Sequence, residues 1–321
     1  MSLFLSTEVI VLLFLDAVVL LFAFVAFIAS LSILKSWNFN STLPLQYALE
    51  RRNYLVSTIT YFIVVIKVVL FLLFIFSIDS LASIIPGAMC GSGVINSNEY
   101  GINLLITKLF VLFLLTIWLN LNKLDLEATN YPFIHKKYLV FISAFVLILI
   151  EMLLELFYFS NISTTQPTLC CSVTFGVSSA ISLLPAGLQT TTLLILFYLV
   201  FLLTILSNWF KYLNLSFVSN GLFLFLGYLS LTYFFGTYIY ELPTHKCPFC
   251  MLQYEYNYIG YILWASLVIG TFFGMSNYVI EKLTKKKSHY MYNYSSIFNT
   301  IFVLCCTYFV LAYYARNGVF L

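Results

Sequence analysis

The sequence predicts an all-α, polytopic integral membrane protein, a helical bundle of about eight transmembrane helices. Three observations predict it. Of 321 residues, 62% are hydrophobic and only 8% are charged, whereas soluble domains carry about 25% charged residues. So few charges cannot solvate a globular surface of this size, and most of that surface must face lipid. Apolar residues also gather into eight stretches, each near the ~20 residues that a helix needs to cross a bilayer. Finally, the stretches are continuous rather than alternating, which selects helices over barrel strands. A net charge of +3 gives no basis for a nucleic-acid partner.

The stretches run roughly over 8–34, 55–84, 103–121, 138–159, 188–207, 216–240, 256–280 and 294–315. The first reads as a retained span rather than a cleavable signal peptide. It lacks a basic leading region, exceeds a signal core in length and carries Asp16 inside it. The chain is expected to form one integral membrane domain over 1–321.

Orientation follows from Lys and Arg, which are retained on the cytoplasmic side. Lys35, Arg51 and Arg52 lie in the 35–54 connection, and Lys123, Lys136 and Lys137 in 122–137. Lys211 lies in 208–215, and Lys282, Lys285, Lys286 and Lys287 in 281–293. That is eleven basic residues, against Lys246 alone in the alternate connections 85–102, 160–187 and 241–255. The alternate connections are therefore expected outside, with both termini non-cytoplasmic.

Every loop cysteine falls on that outer side. Cys90 lies in the first outer loop, Cys170 and Cys171 in the second, and Cys247 and Cys250 in the third, while Cys305 and Cys306 fall inside the last span. The compartment is expected to be oxidising, a periplasm or its equivalent facing a plasma (inner) membrane. Five loop thiols cannot all pair with one another. The first and third outer loops share a pattern, Pro86-x-x-x-Cys90 with Glu99-Tyr100 and Pro243-x-x-x-Cys247 with Glu255-Tyr256. Each loop sits between the second and third spans of its own half. A 4+4 duplication with halves at 1–160 and 185–321 would explain this.

Cys247-Pro-Phe-Cys250 is a Cys-x-x-Cys pair. Read as a turn opening a helix, it puts Pro248 in the first helical turn, where its missing N–H costs nothing. Helix-start N–H groups would favour a thiolate there, with His245 and Lys246 adding local positive charge. Cys247 is then the exposed attacking thiol and Cys250 the resolving one, working through a mixed disulfide.

Cys-Pro-Phe-Cys resembles the active-site turn of glutaredoxin-like proteins. A Cys-x-x-Cys at the outer mouth of a helical bundle, with further cysteines in another outer loop, is similar to DsbB-type and vitamin-K-epoxide-reductase-type enzymes. That resemblance implies a membrane thiol–disulfide oxidoreductase with Cys247 and Cys250 as its redox pair. It also implies Cys90, Cys170 and Cys171 as shuttle cysteines, an extracytoplasmic thiol protein as partner and a membrane quinone as acceptor. It covers one motif and a topology. The chain departs from those families in having eight spans rather than four, and no thioredoxin-fold domain accompanies them.

Two other readings stay open from the residues. The cysteines can be structural staples in a non-catalytic transporter or complex subunit, although a four-residue Cys-x-x-Cys loop constrains an unfolded chain little. Alternatively, His245, Cys247, Cys250 and Met251, with Met89 and Cys90, can hold copper or zinc in a metal-binding or copper/haem maturation factor, since thiolate and thioether suit Cu(I) and thiolate with imidazole suits zinc. The Cys-x-x-Cys-His signature of covalent haem attachment is absent.

Asp16, Lys67, Asp79, Lys108, Glu151 and Glu155 lie at or within spans. Intramembrane charges are costly and usually pair in the bundle interior. Glu151 and Glu155 share one helix face. Lys67 with Asp16 or Glu151 is expected as a buried ion pair or part of a proton relay, while Asp79 and Lys108 read as interfacial.

A topology reporter fused after Lys287 is expected to read cytoplasmic, and one fused after Leu321 external. The same side for both would sink the eight-span reading.

Overall fold

The computed structural model describes residues 6–39, 43–128, 130–163, 165–168 and 189–321. Within them, eight helices are long and apolar enough to cross a membrane. They are α1 Thr7–Ser36, α2 Pro44–Leu81, α3 Tyr100–Leu126, α4 Ile134–Ser160, α5 Thr190–Trp209, α6 Leu213–Tyr240, α7 Ile259–Thr284 and α8 His289–Asn317. The chain is an all-helical integral membrane protein, and each expected span has its helix.

The helices overrun the lipid. The 38 residues of α2 make a rod of about 57 Å at 1.5 Å per residue, against a hydrocarbon core of ~30 Å. Residues 44–54, read from the sequence as part of a basic connection, are the first turns of α2, with Pro44 opening the helix. Likewise α3 runs on to Leu126 and α4 starts at Ile134. The bilayer sets a minimum length for a span, and caps and packing set its end.

Lys137 is corrected by this overrun. It is a fully buried cation rather than a solvated loop charge. Its Nζ lies 3.0 Å from Asp125 Oδ2 and donates to Asn53 Oδ1 at 2.9 Å and Asn122 Oδ1 at 3.0 Å. Asp125 also accepts the Phe133 N–H at 2.8 Å, which pins the α3–α4 turn.

Contacts divide the chain into two compact units: Met1–Ile84 with Ile95–Gln166, and Ile85–Val94 with Pro167–Leu321. In the first unit, α1 packs on α2 and α4, and α3 packs on α2 and α4. Phe74, Trp118, Tyr138 and Phe141 fill that ring of four helices. In the second unit, α5 packs on α6 and α8, and α7 packs on α6 and α8. Phe197 is central there, with ring centroids 5.5 Å from Phe223, 5.2 Å from Phe235 and 6.1 Å from Phe302.

The second unit also buries an amide and hydroxyl chain. Asn299 Nδ2 donates to Asn220 Oδ1 at 3.1 Å, Ser295 donates to the same oxygen at 3.0 Å, and Asn208 Nδ2 donates to Ser295 at 3.1 Å. Gly270 and Gly274 let α7 approach this network, because a methyl at either would strike Asn299 or Asn220. Near its C-terminal end α6 widens into a π turn over Leu231–Phe235, which resets the register of its last turn, Gly236–Tyr240.

Asp125→Ala strands the Lys137 charge in the interior, so it is expected to destabilise the protein by roughly 3–5 kcal/mol. Thermal unfolding in detergent should show that drop, while Arg51→Ala at an exposed position leaves the midpoint nearly unchanged. Equal, small shifts would show that Lys137 needs no counter-ion.

Candidate functional site

The sulfur site lies within the second unit and is built from two loops. Ile85–Val94 supplies Cys90, just before the short helix Gly91–Ile95. The α6–α7 connection supplies Cys247 and Cys250. Cys90 Sγ and Cys247 Sγ lie 3.4 Å apart, and the three sulfurs of Cys90, Cys247 and Cys250 all lie within 4.8 Å of one another. All three are thiols in this structure, so none of them forms the disulfide staple that the sequence allowed. Thus Cys90 meets Cys247 as a site shared by their two loops requires, whereas Cys170 and Cys171 lie outside the described residues.

The Cys-Pro-Phe-Cys turn differs from its expected form. Cys250–Leu252 is a single 3₁₀ turn, and α7 starts only at Ile259. Pro248 therefore does not open the spanning helix, and the Cys-Pro-Phe-Cys pair does not sit at its start. A local bond takes that place: the Phe249 N–H donates to Cys247 Sγ at 3.4 Å. Exposure differs too. Cys247 is 1% exposed, Cys250 7% and Cys90 0%, so Cys247 is not the open thiol of the pair. The reason is that the loop folds inward, and its sulfurs join the apolar core formed by Phe235, Ile239, Met251, Leu263 and Phe302.

The neighbouring spans hold the turn. The Tyr240 hydroxyl, on the last turn of α6, donates to the Cys247 carbonyl and accepts the Met251 N–H, the latter at 3.0 Å. Trp264 Nε1 on α7 donates to the Pro248 carbonyl at 3.1 Å. Gly260 is required because a methyl there would collide with Met251. Tyr240 is in turn packed edge-on by His245 at 4.4 Å and Tyr256 at 4.7 Å. Burial first, then the neighbouring Cys250 and Glu255, push the Tyr256 phenol pKa up. Burial lowers that of Lys246, whose Nζ sits 5.8 Å from the Tyr233 ring centroid.

The metal-ligand set also changes. Cys90 completes the sulfur group, which does not include His245. Met251 packs against Gly260 and Gly236 as a core side chain. Sequence reasoning singled out neither Tyr240 nor Trp264. The available signal was position: Tyr240 is the last residue before the loop, and Trp264 lies in the second turn of α7 after it.

In the first unit, the charged residues of the spans converge. Lys67 Nζ lies 2.5 Å from Asp16 Oδ1 and 3.0 Å from Glu151 Oε1. Lys108 Nζ lies 2.8 Å from Glu151 Oε1, 2.9 Å from Glu155 Oε2 and 3.4 Å from Asp16 Oδ2. The expected pairing of Lys67 with Asp16 and Glu151 is present. Lys108 is not interfacial but buried, and it touches all three carboxylates. Three acids demanded more cation than Lys67 alone, and that imbalance was the signal for Lys108.

Compared with protein-family models, curated proteins and solved structures, the chain matches none. What fold and site define is a membrane-helical protein with a buried three-sulfur cluster.

Bulky maleimides are expected to leave Cys90, Cys247 and Cys250 unlabelled in the folded protein and to label them after denaturation in SDS, because a thiol must be reached to react. Peptide mass spectrometry separates the sites. Prompt labelling of Cys247 in the folded protein would contradict its burial.

Proposed function

We propose that the protein is a membrane thiol–disulfide oxidoreductase whose exchange centre is Cys90, Cys247 and Cys250. One observation carries this reading: three thiols from two loops meet, with Cys247 placed 3.4 Å from Cys90 and all three sulfurs within 4.8 Å. A staple needs two sulfurs and leaves the third without a task. Three within reach allow one disulfide to become another. The Cys90 thiolate attacks Cys247 in a Cys247–Cys250 disulfide, the Cys90–Cys247 bond forms, and Cys250 leaves as a thiolate that takes up the proton lost by Cys90. This step needs no outside oxidant.

Net turnover takes two electrons and two protons from the dithiol of an extracytoplasmic protein. The resemblance to DsbB-type and vitamin-K-epoxide-reductase-type enzymes supplies a membrane quinone as the acceptor, reduced to the quinol. The buried sulfurs need a partner-facing thiol, and this proposal moves that role from Cys247 to Cys170 and Cys171, which the sequence reading offers as shuttle cysteines. The division of basic residues at and between the span ends, ten to one with the buried Lys137 set aside, supports a plasma (inner) membrane protein with its cysteine loops on the periplasmic side. The same cyclic order of helix packing in each unit supports a 4+4 duplication.

A metal site is the second reading, favoured by the three-sulfur geometry itself, since three clustered thiolates suit Cu(I). Mild oxidation of the full chain in membranes separates the cases. Cys250→Ser should yield a Cys90–Cys247 disulfide, Cys90→Ser a Cys247–Cys250 disulfide, and Cys247→Ser neither, read by non-reducing peptide mass spectrometry. A single pairing unaffected by which third cysteine is replaced means a staple. Copper or zinc near one equivalent in the wild type, lost from all three variants, would replace the redox reading with the metal one.

A further inference from the structure

The charge cluster of the first unit does not balance. Three carboxyl groups, Asp16, Glu151 and Glu155, face two ammonium groups, Lys67 and Lys108, and all five residues are at most 4% exposed. These come from all four helices of the unit: Asp16 from α1, Lys67 from α2, Lys108 from α3, and Glu151 and Glu155 from α4. Fully ionised, the cluster carries one net negative charge in a setting where an uncompensated ion costs several kcal/mol. Neutralising a lysine would increase the excess. Adding one proton removes it.

The geometry points to where that proton sits. Asp16 uses both oxygens, one to each lysine, and Glu151 shares Oε1 between both lysines. Glu155 meets only one of the two lysines, Lys108, through Oε2, and its carboxyl group also lies in hydrogen-bonding reach of Asp16. Glu155 Oε1 and Glu151 Oε2 are buried and have no hydrogen-bond partner. Each of the three carboxyl groups presents an oxygen within 4.8 Å of the others. A buried acceptor with no donor is costly, and two of them beside each other's carboxyl groups lack one hydrogen between them. An O–H on Glu155 supplies it by donating to a neighbouring carboxylate.

We propose that the first unit is a proton-binding site, holding one proton on Glu155 among Asp16, Glu151, Lys67 and Lys108. The ligand is a proton rather than a metal cation because both ammonium groups already occupy the centre of the carboxylate group. The site is independent of the cysteines and of the redox reading. It gives the bundle a carboxylic acid that can be loaded or emptied, which a set of balanced ion pairs lacks.

Infrared spectroscopy of the full chain in lipid at neutral pH tests this without a partner or activity. The wild type should show a carboxylic-acid C=O band of one equivalent, although its solvated carboxylates are ionised. Glu155→Gln mimics the protonated group in shape and should abolish the band while helicity by circular dichroism is retained. Lys67→Met removes a positive charge and should raise the band to two equivalents. Absence of the band in the wild type overturns the proposal whether or not the variants fold. So does a band that survives Glu155→Gln, or thermal stabilisation by sodium over choline without any band, which would make the ligand a metal cation.

Discussion

A lysine ammonium taken into hydrocarbon must bring its counter-charges with it, and this protein buries three: Lys67, Lys108 and Lys137. Ionised groups lose hydration worth several kcal/mol on burial, and only close partners offset that loss. In the first unit, every helix contributes to one cluster, and rotating any of α1 to α4 by a fraction of a turn would separate charges now within 3.4 Å. The second cluster, Lys137 with Asp125, Asn53 and Asn122, locks α2, α3 and α4 again nearer their other ends. Helix association in lipid lacks a hydrophobic drive, so these polar clusters are the main source of a unique register.

The second unit meets the same constraint with neutral groups. Asn208, Asn220, Asn299, Ser216 and Ser295 hydrogen-bond one another in its interior. Neutral amides cost less to desolvate than ions, and the glycines of α7 admit them without a void. Sulfur suits this unit for a related reason. A thiol behaves as a small hydrophobe with a weak donor, so three cysteines can enter an apolar core that would reject three unpaired carboxylates. Their placement is then a matter of backbone geometry, which Tyr240 and Trp264 provide by binding the loop from the spans on either side.

What the sequence disclosed follows from how locally each signal is written. Span positions were legible because hydropathy is a sum over ~20 consecutive residues. Helix ends were not, since lipid gives no stop signal. This is why 44–54 and Lys137 were assigned to connections. The Lys67 pairing was legible from the cost of isolated charge, whereas Lys108 lies near a span end and looked interfacial by counting alone. The shared Pro-x-x-x-Cys pattern drew attention to Cys90 and Cys247, yet the inward fold of the turn depends on contacts with α6 and α7 that no local pattern encodes. The amide network was invisible for another reason: Asn and Ser carry no formal charge and are averaged away within an apolar window.

The two disulfides open to Cys247 differ in what they do to the chain. A Cys247–Cys250 bond closes a four-residue ring and restrains nothing beyond its own turn. A Cys90–Cys247 bond joins positions 157 residues apart and would fasten the Ile85–Val94 segment covalently to the α6–α7 connection. In the redox reading, moving the bond from one pairing to the other therefore changes tethering as well as electron location. The cluster is held noncovalently before any bond forms, because both loops already contribute their sulfurs to the core of the second unit. The cost of bringing Cys90 to Cys247 is met by folding, and exchange between the two pairings then requires motion of roughly one to three ångström, to an S–S length of about 2 Å, by sulfur atoms that already lie within 4.8 Å of one another.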